Sequence, residues 1–101
     1  MAEVYTLLVE VGRKAGDGLP EGASGAGLRC YAAGRDEADA VRETVAVLRQ
    51  ADLAPLDVTG YGTLEERLAE GVEIDEAERA LMRRAADENA VIVAQITPFE
   101  S

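Results

Sequence analysis

The sequence predicts an α+β fold, a two-layer sandwich in which helices pack on a mixed sheet of four strands. Two observations predict it. Four short segments have the apolar, β-branched composition of strands, and three others begin with helix-capping residues and continue with apolar residues at helical spacing. The predicted order is strand, strand, helix, strand, short helix, helix, strand. The 101 residues are enough for one small domain, which we take as residues 1–101.

The first two predicted strands flank a glycine-rich segment. Residues 4–11 carry apolar side chains on both faces, which is typical of an interior strand, and residues 28–33 form the second strand. Loops longer than about 12–15 residues are uncommon in compact domains. We therefore expect residues 12–27 to be a flexible loop, either a plain hairpin connection or a flap that orders over a ligand. Arg13 and Lys14 are its only positive charges.

Helix-start signals precede each of the three predicted helices. Asp36 is a favourable N-cap for a helix that ends before Pro55, because its carboxylate can accept hydrogen bonds from the first turn. Residues 63–66 form a capping-box pattern that predicts a short helix over residues 64–70. Asp75 begins the third helix by a similar pattern.

Residues 56–61 and 90–97 are the third and fourth predicted strands. The fourth is the most apolar, so we expect it to be central in the sheet and buried on both faces. Each later helix would cross over between strands, which favours a mixed sheet. Ferredoxin-like domains have a similar size and offer a loose analogy only, because their usual order is strand, helix, strand, strand, helix, strand. A likeness of this kind implies no function.

The composition argues against several classes of chemistry. The chain has no histidine, which removes histidine-activated nucleophiles and histidine metal ligands. Cys30 is the only cysteine, so neither an intrachain disulfide nor a thiolate metal cluster can form. The glycine-rich segment does not match a phosphate-binding loop, because the lysine precedes the glycines and a strand follows them. We therefore predict no catalytic residue, no metal and no cofactor.

The charge is strongly acidic. Ten basic and twenty acidic residues give a net charge of -10. Recognition of nucleic acid depends on Lys and Arg, so this chain should bind neither nucleic acid nor an anionic membrane surface. The acidity favours a basic protein partner, or it serves only to keep the protein in solution. The sequence shows neither a signal segment nor an apolar run of about 20 residues, so we expect a cytoplasmic protein.

Six side chains are candidate contacts for a ligand or an interface. Tyr31 and Tyr61 could share one sheet face, and tyrosines with one dry side and one wet end are common at interfaces. Asp57 could act as a general base if its face were covered. Gln95 lies in the most apolar strand, where a buried amide must be hydrogen-bonded. For each, core packing or a solvated side chain is the alternative. The full set is Tyr31, Tyr61, Asp57, Gln95, Arg13 and Lys14.

These patterns favour a small non-catalytic protein-interaction module, either a homodimer or an acidic partner or inhibitor of a basic protein. The alternative is a small-ligand binding or sensing domain, with residues 12–27 as a lid over the sheet face of Tyr31 and Tyr61. An enzyme that uses Asp57 and Tyr61 is least favoured, because four strand residues separate their side chains by about 13 Å. An open apolar sheet face would indicate a partner, and a closed face with a polar pocket would indicate a ligand.

Overall fold

A computed structural model describes residues 3–100, and it confirms the α+β sandwich and the predicted order of elements. The second strand begins at Ala23 rather than at residue 28, so residues 13–22 are the actual connection between the first two strands. The elements are β1 (Glu3–Gly12), β2 (Ala23–Gly34), α1 (Glu37–Gln50), β3 (Ala54–Thr63), α2 (Leu64–Ala69), α3 (Glu76–Glu88) and β4 (Val91–Glu100).

The sheet has the strand order β3-β1-β2-β4, and each neighbouring pair is antiparallel. The prediction of a mixed sheet is therefore wrong. The connection through α1 does return the chain to a strand parallel to β2, but β1 lies between these two strands, so they are not neighbours. The connection through α2 and α3 then crosses the full width of the sheet to β4.

The prediction that the fourth strand is central is also wrong, because within residues 3–100 β4 is an edge strand that pairs only with β2. The hairpin of β1 and β2 takes the centre instead, and Leu7 and Leu28 in these strands are fully buried. The apolar composition of β4 leaves Val93 and Ile96 partly exposed at the edge, with 37% and 51% of their surface accessible.

The helices are divided between the two faces of the sheet. On one face, Leu48 of α1 packs with Val9 and Leu28 of the central strands. On the other face, Met82 of α3 packs with Tyr31 of β2. Two apolar cores therefore lie on opposite sides of one sheet, which gives three layers instead of the predicted two. Within residues 3–100, no helix is long and apolar enough to cross a membrane.

The predicted helix starts are confirmed by their hydrogen bonds. The Asp36 carboxylate accepts from the backbone N–H of Asp39 at 2.7 Å. Thr63 and Glu66 bond reciprocally to each other's backbone N–H, which completes the capping box of α2. Asp75 caps α3 in the same way as Asp36 caps α1. The start of α3 matters for function because its first turn carries a carboxylate that reaches the sheet.

Candidate functional site

One half of the α3 side of the sheet is left uncovered. The core under α3 lies where β1 begins, around Tyr31 and Met82, and α2 contributes no buried residue. The strands continue beyond these helices toward the end of β1. We call the uncovered half the open face. It consists of Leu8 and Glu10 of β1, Gly27 of β2, Leu56, Asp57, Thr59 and Tyr61 of β3, and Phe99 of β4.

Apolar side chains lie on the open face over glycines. The position that a Cβ would take on Gly27 is 3.5 Å from the Phe99 ring and 3.9 Å from Leu8. These are ordinary van der Waals distances, so the Phe99 ring and Leu8 lie close above the Gly27 backbone. Phe99, Tyr61 and Leu56 nevertheless stay accessible, at 38%, 50% and 72% of their surface. An exposed group of this kind, on the face of a sheet, indicates an interaction surface.

Two acidic residues border this apolar surface. Glu10 and Asp57 are direct partners across β1 and β3, and both are exposed. Like charges directly opposite each other destabilise a sheet. Within residues 3–100, neither carboxylate forms a salt bridge with an arginine or lysine. A cation brought by a partner would relieve this repulsion.

A charged cluster separates the open face from the core under α3. Arg29 donates from Nη1 to Oε1 of Glu78 and from Nη2 to Oε1 of Gln95, both at 2.5 Å. Arg67 donates from Nη1 to Oγ1 of Thr6 at 3.1 Å and lies 3.6 Å from Oε2 of Glu78. Two guanidinium groups therefore share one carboxylate. We call these three charged residues the Arg29–Glu78–Arg67 cluster.

Tyr31 lies under α3, on the same side of the sheet as Tyr61. It is fully buried, and its hydroxyl has no hydrogen-bond partner among the residues that the structure describes. Burial raises the pKa of Tyr31, the nearby charge of Glu78 raises it further, and Arg29 opposes the shift. The phenol is therefore neutral, and Tyr31 is part of the core rather than an accessible contact.

A cavity of about 370 Å³ adjoins the charged cluster at the border of the open face. Tyr61 and Leu8 belong to both the cavity and the open face. The lining side chains are otherwise two arginines, one hydroxyl, one carboxylate and one aliphatic group. The complete lining is Thr6, Leu8, Arg29, Tyr61, Arg67, Glu70 and Val72.

The candidates Asp57 and Gln95 are both exposed. Asp57 lies on the open face, and Gln95 holds Arg29 in place by accepting its hydrogen bond. The expectation that Gln95 must be bonded because it is buried is therefore wrong in its premise. The amide is bonded, but it lies at the sheet edge beside Thr97 and reaches the Thr97 hydroxyl at 3.4 Å.

Arg13 acts within its own loop. Its Nη1 donates to the backbone carbonyls of Pro20 and Ala23 at 2.9 and 2.6 Å. Its Nε donates to Oδ2 of Asp17 at 3.1 Å, and the same oxygen accepts from the backbone N–H of Lys14 at 2.9 Å. These bonds tie both ends of the loop together, so Arg13 has a structural role here.

The loop lies away from the cavity. Leu19 packs against the core under α1, on the opposite side of the sheet from Tyr61. None of residues 13–22 lines the cavity. The structure therefore gives no support to the idea that this loop covers the face of Tyr31 and Tyr61.

Cys30 and the acidic residues offer no further site. Burial raises the pKa of the Cys30 thiol to about 11, so it stays protonated and unreactive at neutral pH. In the part of the chain from 3 to 100, no three carboxylates or thiols are grouped so that they could hold a metal ion.

A protein-family model described as "Domain of unknown function (DUF8846)" matches residues 4–100. The chain belongs to this family. The match includes all four strands and all three helices, so the DUF8846 domain is the whole fold described above. Comparisons with curated proteins and with solved structures return no match. The function of this DUF8846 domain must therefore be argued from its open face and cavity.

Sequence reasoning missed most residues of the DUF8846 site. Arg29 carried a usable signal, because a charged residue between Leu28 and Cys30 in an apolar strand calls for a partner. Glu78 gave none, since it stands 49 residues away from Arg29 in the chain. Phe99 lies beyond the predicted fourth strand of residues 90–97, and only the pairing of β4 with β2 places it over a glycine.

Proposed function

We propose that this protein is a non-catalytic module that binds a basic protein partner through the open face. The observation that carries the proposal is the exposed apolar group of Leu56, Tyr61 and Phe99 beside the acidic pair of Glu10 and Asp57. The apolar side chains supply the contact area, and the carboxylates supply the preference for a cationic partner.

The apolar side chains supply part of the binding energy. Full burial of one large apolar side chain is worth about 1.5–3 kcal/mol, and Phe99, Tyr61 and Leu56 still expose 38%, 50% and 72% of their surface, so their burial contributes roughly 2–5 kcal/mol. Association costs at least about 4 kcal/mol, so charge pairs with the partner must supply the rest. Tyrosine is enriched among the residues that dominate binding energy, and Tyr61 lies on this surface where it meets the cavity. The net charge of -10 would also steer a basic partner toward the protein. We place this function in the cytoplasm, where buried Cys30 stays reduced.

A second copy of the chain fits the open face less well. Arg29 is engaged by Glu78 and Gln95, and the side chain of Arg67 is only 11% exposed, so neither arginine next to the face can reach the carboxylates of a second copy. A two-fold contact would therefore bring two copies of the Glu10 and Asp57 pair toward each other without a free cation to balance them.

A defined cationic probe tests the proposal. The probe is a peptide of alternating lysine and leucine, titrated into the protein by calorimetry. The test variant is Glu10→Gln with Asp57→Asn, and the matched control is Glu43→Gln with Asp87→Asn on the helices. Both doublets change the net charge from -10 to -8, because each removes two negative charges.

We expect the open-face doublet to weaken peptide binding at least about tenfold, which corresponds to roughly 1.4 kcal/mol, and the helix doublet to change it little. Leu56→Ala should weaken binding in the same way without a change in charge. Equal loss in the two doublets would show that the peptide responds to net charge alone, and it would contradict the proposal.

Self-association through β4 is a second candidate, favoured by a separate observation. From Val91 to Phe99 the strand carries no charged residue, and its outer edge has no partner strand in the structure. Uncharged edge strands pair readily with a second copy. Light scattering after size exclusion tests this candidate. Ile96→Lys should convert a dimer to a monomer, whereas a wild-type monomer at all concentrations would exclude it.

A further inference from the structure

Arg67 has hydrogen-bond donors that the protein itself does not use. Its side chain is 11% exposed, and it is one of the residues that line the cavity. A guanidinium group has five N–H donors in a planar fork. Within residues 3–100, Arg67 makes one side-chain hydrogen bond, to Thr6. The remaining donors have no hydrogen-bond partner among these residues, and the side chain that carries them lines the cavity.

The ion pairing at the cavity leaves Arg67 the less compensated of its two arginines. Arg29 and Arg67 share the single carboxylate of Glu78, and the shorter contact, with both a hydrogen bond and an ion pair, belongs to Arg29. Arg67 is 3.6 Å from Glu78, beyond hydrogen-bond distance, although its side chain is the more buried of the two arginines. A guanidinium group that is largely removed from water needs an oppositely charged group within hydrogen-bond distance.

The rest of the cavity is suited to an apolar body. Leu8, Val72 and the ring of Tyr61 form its walls, and Thr6 adds one hydroxyl next to Arg67. A volume of about 370 Å³ is within the range of small-molecule sites, which run from about 300 to 1,000 Å³ and combine apolar walls with a few polar groups.

We propose that this cavity binds a small organic monocarboxylate, with its carboxylate on Arg67 and Thr6 and its apolar part against Leu8, Tyr61 and Val72. Arginine matches a carboxylate geometrically because it can donate two parallel hydrogen bonds. A dianion such as phosphate fits less well, because the carboxylate of Glu70 also lines the cavity and would repel a second negative charge. The proposal does not depend on a protein partner at the open face.

The test compares ligands of one shape and different charge. Phenylacetate and hexanoate are titrated into ¹⁵N-labelled protein, beside their neutral amides and beside inorganic phosphate. A short peptide with a free C-terminus and its amidated form make another arm, because a chain terminus offers the same carboxylate. The acids should shift the amide signals of Thr6, Leu8 and Arg67, and the amides and phosphate should not.

Two variants and one control locate the site. Arg67→Gln should weaken binding at least about tenfold, since it removes the charge but keeps a donor for Thr6. Arg67→Lys should recover part of the affinity. Val72→Trp fills the cavity without altering a charge and should abolish binding, which keeps the test valid if Arg67→Gln is unstable. Arg84→Gln removes the same charge from the exposed Arg84–Glu88 pair and should bind normally.

Several results would overturn the proposal. The neutral amides could bind as well as the acids, which would show an apolar cavity without anion selectivity. The acids could shift signals elsewhere, or bind Val72→Trp like the wild type. Absence of binding by both free acids at tens of millimolar would also overturn the proposal. If the peptide with a free C-terminus bound while both acids did not, the carboxylate that the cavity recognises would belong to a protein chain instead of a small molecule.

Discussion

The two faces of the sheet are covered to different extents, and the difference explains where the candidate sites lie. The first face is crossed by α1, an unbroken helix of 14 residues whose Leu48 is fully packed. The second face is covered by two shorter pieces, α2 and α3, and α2 of six residues has no fully buried residue. The continuous helix covers the central strands of its face, which we call the closed face, and leaves Val93 and Ile96 of the edge strand exposed there, whereas the interrupted connection leaves the open face and the cavity beside it.

The largest expected effect comes from truncation on the closed face. Leu48→Ala should lower the free energy of unfolding by about 2–5 kcal/mol, because it leaves a cavity in a packed core. Leu56→Ala on the open face should change it by less than about 0.5 kcal/mol. Urea unfolding of both variants measures the contrast. Similar losses would show that the open face is packed in solution and would break the comparison.

The charged cluster lies between the covered and open halves of the second face, and its loss should have the next largest effect. Glu78→Gln leaves Arg67 without a compensating charge and should lower the free energy of unfolding by about 1–3 kcal/mol. Glu88→Gln in the exposed pair with Arg84 is the matched control and should cost about 0–1 kcal/mol. An equal loss of unfolding free energy in the control would show that the Arg29–Glu78–Arg67 cluster stabilises the protein no more than an exposed ion pair does.

Removal of one acidic partner on the open face should stabilise the protein. Glu10→Gln ends the repulsion with Asp57 and should raise the free energy of unfolding by about 0.2–1 kcal/mol at low salt, with a smaller gain at high salt. Glu43→Gln on α1 serves as the control for net charge. A loss of stability in Glu10→Gln would mean that the carboxylate has a partner in the free protein.

The smallest expected effect is local and lies at the loop on the α1 side. Backbone N–H groups of Lys14 and Leu19 and the side chain of Arg13 donate to Asp17, which lowers the pKa of that carboxyl. Because the pKa of Asp17 is lower in the folded protein than in the unfolded chain, its carboxylate stays ionised and its hydrogen bonds stay intact above the ordinary pKa of an aspartate. They are lost as the pH falls through the lowered folded value.

Amide hydrogen exchange of Lys14 and Leu19 as a function of pH measures this loss. Protection should persist at neutral and mildly acidic pH and should disappear only below the ordinary pKa range of aspartate. Asp17→Asn should lower protection at every pH. Protection that is independent of pH in the wild type would contradict the role assigned to Asp17.

The order of the helices and strands could be predicted from local signals, whereas the arrangement of the strands within the sheet could not. Capping residues such as Asp36 and Thr63 act on their own helix, so the sequence shows them directly. Whether β4 is a central or an edge strand depends on which strands pair with each other, and apolar content alone does not decide this. The Gly-rich start of β2 was mistaken for loop because its glycines lie under Phe99 and along β1, a contact that only the paired strands create.

The candidate site was predictable only in part for the same reason. Tyr61 and Asp57 were found because polar or aromatic residues on strands stand out. Tyr31 has the same pattern but lies buried under α3. The prediction failed for Tyr31 because a strand pattern does not show which half of a sheet face a helix covers. Arg67 and Glu78 meet only after the chain has crossed the sheet.

Methyl NMR of the protein with the lysine–leucine peptide tests the central claim most directly, namely that the open face is the binding surface. Leucine methyls are labelled, and their signals are followed as the peptide is added. The account predicts shifts at Leu8 and Leu56, with Leu48 and Leu28 of the closed face unchanged. Shifts confined to Leu64, Leu68 or Leu81, which lie on the acidic helices, would contradict it.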